Sequence, residues 1–160
     1  MIQLLWCCVY LALFVFIIHK SAFFRLPGVT STRTLFFFLL KIISATVAWN
    51  IFIQYYPATD SSNFFNDTEI LYRAFYNDTT TFFKIFFGFD NTPHAQELLA
   101  KTMTWNNTSS SFLIVDSRTM IRLYVILRFF SFGYFYVQAI IMCFLAFTGF
   151  FSAAFFPRFF

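Results

Sequence analysis

Two groups of residues in this chain have the type and spacing for chemistry. Asp60 stands three residues after Pro57, where a long apolar run ends, and Asp67 lies seven residues further on. Carboxylates held at a bilayer surface can act as a general base toward an incoming hydroxyl. As ordinary solvated loop acids they would do nothing of the kind. The second group is Asp116, Arg118 and Arg122. On a helix, the i,i+4 spacing of Arg118 and Arg122 sets them on one face, where two guanidinium forks could hold a phosphate. The plain alternative is a basic cap that grips lipid headgroups or pairs with Asp116. His19 and His94 are isolated, and Cys7, Cys8 and Cys143 all fall in apolar runs. Such cysteines read as small buried apolar residues, so neither a metal ligand set nor a disulfide framework is expected. The sequence leaves the cofactor unknown.

These residues sit in an unusual chain. Of 160 residues 59% are hydrophobic and only 11% charged, with a net charge of +4 and a mean hydropathy of +0.69. Soluble domains carry about 25% charged residues, so a soluble globular protein is excluded, as is a disordered one. The basic pI of about 9.1 comes from singly scattered residues, with no Lys/Arg run to track phosphates, and a nucleic-acid partner is excluded. The 29 Phe residues are read as the apolar filling that a bilayer accepts in place of any other.

The elements that must position the two groups follow from apolar run lengths. Ile2 to Ile18 makes about 25 Å of helix and Leu35 to Tyr56 about 33 Å, both within reach of a span, and Phe132 to Phe156 makes about 37 Å. The first run has its positive charges after it and no small-residue cleavage site, which predicts a retained span and not a cleaved signal peptide. Pro27-Gly28 marks the turn between spans one and two, Pro57 stops the second, and Lys41 can snorkel from within it. The fold class is therefore all-α membrane protein: three transmembrane helices and a long extracytoplasmic loop that contains short interfacial helices. The expected division is 1–56 for two spans and a basic connector, 57–131 for the loop, and 132–160 for the third span.

In the loop, Asp67-Thr68 reads as the start of a helix over Glu69–Tyr76. Thr81–Phe89, rich in Phe but too short to cross, is expected to lie on the membrane and end at Gly88. Thr92 to Thr102 reads as a more polar helix with Pro93 in its first turn. Ile121 to Phe130, interrupted by Arg122 and Arg128, reads as a further interfacial helix. Every acid lies between Pro57 and Met120, whereas Lys20, Arg25 and Arg33 crowd the first connector. The positive-inside rule then sets the amino terminus and the long loop outside, with Arg158 returning to the cytoplasm. The glycosylation-type triplets at Asn66, Asn77, Asn106 and Asn107 are compatible with that side and carry no further meaning.

From Asp116 to Val137, the pieces Ser117-Arg118, Ile121-Arg122 and Phe130-Ser131-Phe132-Gly133-Tyr134 resemble a group of bacterial multi-pass membrane proteins similar to GT-C-type glycosyltransferases. Phe23-Phe24-Arg25-Leu26-Pro27-Gly28 and the set Asp60, Phe64, Asp67 look similar too. The resemblance implies a sugar carried on polyprenyl phosphate and transferred at the outer face of a bacterial inner membrane. It also implies Asp60, and second to it Asp67, as the catalytic base, with Asp116, Arg118 and Arg122 binding the substrate. Such enzymes have more than three spans. The resemblance therefore implies an amino-terminal portion of a longer protein, or a short relative completed by further transmembrane helices or a partner subunit, and no activity in these 160 residues alone. The competing expectation is a non-catalytic membrane subunit for assembly or transport.

Overall fold

The computed structural model describes residues 1–25, 28–56, 60–89, 92–105 and 113–155, the side chains of 113–116 and 154–155 excepted. Pro27, the helix stop at Pro57, Asp90, the Asn106 and Asn107 triplets, the side chain of Asp116, the end of the last span at Phe156 and Arg158 lie outside the described residues. Among the described residues, seven α-helices run in the order α1 (Ile2–Lys20), α2 (Ser31–Tyr55), α3 (Asp60–Asn77), α4 (Thr79–Phe87), α5 (Pro93–Leu99), α6 (Leu113–Ser131) and α7 (Phe135–Phe155). The described residues contain no strand. The chain forms two compact units: Met1–Tyr55 with the chain from Tyr134 onward, and Tyr56–Gly133.

In the first unit, α1, α2 and the Phe135–Ala153 stretch of α7 are long and apolar enough to cross a membrane. Their lengths of 19, 25 and 19 residues correspond to about 28, 37 and 28 Å of helix. Helix α2 starts at Ser31, one turn before the apolar run, because Ser31, Thr32, Arg33 and Thr34 are tolerated in a first turn. Phenylalanines do more here than fill space. Phe14 stacks on Phe144 at 4.1 Å, Phe24 of a 3₁₀ turn (Ala22–Phe24) meets Phe151 at 5.3 Å, and Phe38 meets Phe147 at 5.4 Å. Between apolar helices in lipid there is no hydrophobic drive to associate, so such ring contacts supply packing that generic apolar chains would not.

Helix α7 begins at Phe135 and not at Phe132, because the backbone turns left-handed first. Phe132 has φ 53° and Gly133 φ 79°, and the Gly133 N–H donates to the Arg128 carbonyl at 3.2 Å, a six-residue closure of α6. Glycine suits its position, whereas a phenylalanine at positive φ is uncommon.

The second unit is a four-helix domain with its own core. Leu71 and Ala74 of α3, Phe82 and Ile85 of α4, Ala95 and Leu99 of α5, Trp105, and Ile121 and Val125 of α6 form one buried cluster. Three sequence expectations change here. Helix α3 starts at Asp60 and runs unbroken through Asp67-Thr68, which sit buried in mid-helix. Helix α4 buries Phe82 and Ile85 in this core and, of its large apolar side chains, leaves only Phe83 and Phe87 exposed. Helix α6 is 19 residues long rather than ten. It presents Ile121, Val125 and Arg128, spaced at helical intervals, to the inside. The physical reason is common to all three. Helices too short or too polar to stand alone gain stability by burying one stripe against each other.

Helix α4 is capped at both ends. Asp78 accepts the Thr81 N–H at 3.1 Å and the Thr81 hydroxyl at 2.5 Å, and Gly88 at φ 89° closes the other end. The Thr81 hydrogen bonds, with a smaller contribution from His94 at 3.7 Å, hold the Asp78 carboxyl below its ordinary value of 3.8. A depressed folded-state pKa contributes stability that is present above the unfolded value and lost as pH falls. Acid unfolding below about pH 4 should therefore have a component that Asp78→Asn removes while keeping a good cap residue. A pH–stability profile of the two proteins, coinciding at every pH, would contradict this.

Candidate functional site

The polar side chains singled out by type and spacing gather in the Tyr56–Gly133 unit, where most of them hold helices together. Asp67 projects from α3 into the segment after α5 and is 1% exposed. Its Oδ1 accepts the Met103 N–H at 2.9 Å, its Oδ2 accepts the Thr104 N–H at 2.8 Å, and the Thr104 hydroxyl also donates to Oδ2. Three donors thus converge on one buried carboxylate, which fastens a non-helical stretch to α3.

That stretch delivers Trp105, fully buried, to the core. Arg118 and Arg122 of α6 lie over its indole, their guanidinium carbons 5.5 and 5.4 Å from the ring. The i,i+4 spacing does set the pair on one face, and that face is turned to an aromatic ring. Gly88 borders the cradle, where an added Cβ would make ordinary contact with the Arg122 guanidinium at 3.5 Å.

One turn and a half along α6, Arg128 is 5% exposed. It donates to the Phe65 carbonyl at 2.7 Å, to the Thr68 hydroxyl at 3.1 Å and to Glu69 at 3.3 Å, and lies 4.4 Å over the Phe65 ring. Burial pulls its pKa below the ordinary guanidinium value, and Glu69 pulls it back. Glu69 also takes Arg73 at 2.5 Å, so one surface carboxylate serves two arginines. Nearby, burial raises the Tyr124 phenol against a hydrogen bond with the Ser61 side chain.

Asp60 differs from all of these. It is exposed in the first turn of α3, about 10 Å along the helix from Asp67. Asp116 belongs to the first turn of α6. Among the described residues, no group of three His, Cys, Asp or Glu side chains comes together to hold a metal. Cys7, Cys8 and Cys143 are free thiols.

Comparison with known proteins adds nothing further: no protein-family model, curated protein or solved structure matches the chain. The reading therefore rests on geometry. Trp105, Arg128 and Glu69 carry the site's architecture, yet nothing local in the sequence marked them for that role. Only the i+7 spacing of Arg128 from Ile121 could have placed it on the core face.

Proposed function

We propose that the protein is an integral-membrane subunit for assembly or transport, in which three spans carry a pre-folded helical domain that binds and does not catalyse. One observation carries this reading. Asp67, one of the groups suited to a lipid-phosphate sugar, is already engaged by three donors in holding the domain, and Arg118 and Arg122 lie over the buried Trp105 ring. A catalytic base needs a free lone pair toward substrate, and a phosphate clamp needs guanidinium forks free to turn. The exposed Phe83, Phe87 and Phe89 support contact of this domain with a bilayer surface.

A second reading has its own support. Asp60 is exposed at the start of a helix, where a base could meet an acceptor hydroxyl, and the resemblance to GT-C-type glycosyltransferases favours a polyprenyl-phosphate-linked donor. Adding such a donor to proteoliposomes that hold the chain together with the membrane proteins that co-purify with it separates the two. The subunit reading expects any release of polyprenyl phosphate to be the same with Asp60→Asn as with the wild-type chain. Release that Asp60→Asn abolishes would establish the transferase.

The charge distribution supports an amino terminus and a Tyr56–Gly133 unit outside the membrane, and the resemblance supports a bacterial inner membrane. With Cys7, Cys8 and Cys143 replaced by alanine, Thr80→Cys should react with an impermeant maleimide added outside intact cells. Labelling only after the membrane is opened would reverse the orientation.

A further inference from the structure

Helices α3, α4 and α5 enclose a groove of about 430 Å³ on the Tyr56–Gly133 unit. Ile70, Ala74 and Leu98 give it apolar lining, while Arg73, His94 and Lys101 supply positive or potentially positive groups from three separate stretches of chain. The volume lies in the range of small-molecule sites and is too small for a folded partner.

Donors remain open although two of the three positive groups have an acidic neighbour. Arg73 engages Glu69 through Nε and Nη2, and that pairing does not use Nη1. Lys101 makes no ion pair with a described residue. Asp78, the one acid on the lining, is occupied by Thr81 and faces His94 at 3.7 Å. A guanidinium fork and an ammonium lining one groove match a phosphate, which offers oxygens to both kinds of donor. An inorganic ion would leave the exposed parts of Ile70 and Leu98 facing water, and a hydrocarbon would cover them.

We infer that this groove binds an alkyl phosphate: a phosphate head between Arg73, His94 and Lys101, with the first carbons of its chain on Ile70, Ala74 and Leu98. The inference stands on the groove itself and holds whether the protein is a subunit or a transferase. The same chemistry is offered by a membrane phospholipid and by a soluble alkyl phosphate.

The test uses the full chain in phosphatidylcholine nanodiscs, titrated calorimetrically with hexyl phosphate, inorganic phosphate and hexanol. Hexyl phosphate should bind saturably and at least tenfold more tightly than either of the others. Arg73→Ala and Lys101→Ala should each weaken it about tenfold, since a charge-assisted hydrogen bond is worth at least that factor. Lys101→Arg should restore binding, and Lys84→Ala, on α4 outside the groove lining, should leave it unchanged. Leu98→Asp should abolish it with the helical circular dichroism retained. Repeating the titration in discs containing phosphatidic acid identifies the source. Loss of hexyl phosphate binding there assigns the groove to a membrane lipid, and retention assigns it to a soluble phosphate; both support the site. Wild-type affinity in Arg73→Ala and Lys101→Ala, or equal affinity for inorganic phosphate or hexanol, would overturn the inference.

Discussion

Asp67→Asn should unfold the segment after α5 and destabilise the four-helix domain by about 3 kcal/mol, because a buried charged acceptor with several donors is worth about 1.5 to 3 kcal/mol per bond. The amide keeps one oxygen, but its NH₂ must face either the Met103 N–H or the two Thr104 donors. At least one buried donor is then left unsatisfied, and donor faces donor. Asp60→Asn, at an exposed position, should change stability by less than about 0.5 kcal/mol. Denaturant unfolding of the full chain in detergent measures the difference. Hydrogen exchange at Met103, Thr104 and Trp105 shows where it arises. The contrast matters for function: a loss of activity in Asp67→Asn would report a broken fold, whereas the same loss in Asp60→Asn would report chemistry. Equal stability in the two variants would remove the structural assignment of Asp67.

Trp105→Ala should cost about 3 to 5 kcal/mol, the usual penalty for deleting a fully buried large aromatic side chain. Beyond the cavity, it strips Arg118 and Arg122 of the ring beneath them, a contact worth about 0.5 to 1 kcal/mol for each cation. Arg118→Ala and Arg122→Ala should therefore each destabilise the domain by about 1 kcal/mol, and much less once Trp105 is already alanine. That double-mutant cycle distinguishes two roles for the arginines. If they belong to the core of the domain, they couple to Trp105. If they serve a phosphate, removing them relieves like-charge repulsion, and the single variants should be neutral or stabilising. Coupling energies near zero would return the pair to the ligand-binding role their spacing first suggested.

Much of the membrane part was legible without coordinates, for a reason that lies in the solvent. A bilayer imposes a length and a polarity on any helix that crosses it, and both are local properties of the chain. Runs at 2–18, 35–56 and 132–156 therefore locate three helices to within a turn of Ile2–Lys20, Ser31–Tyr55 and Phe135–Phe155. The ends moved where a few residues decided them: Ser31 to Thr34 joined α2, and left-handed Phe132 and Gly133 delayed α7. Outside those runs, local pattern was a poorer guide. Asp67-Thr68 has the composition of a helix start, yet the carboxylate takes its donors from residues 36 and 37 positions away and the helix runs straight through. Arg128 interrupts an apolar stretch as an interfacial residue would, but its partners are Phe65, Thr68 and Glu69, about sixty positions upstream. Spacing alone correctly put Arg118 and Arg122 on one face, while what that face meets depended on where the chain brought Trp105. Whether a charged side chain waits for a ligand or secures a fold depends on the groups it meets. Those groups come from distant segments brought together by burial of a shared core, which no local pattern of residues encodes.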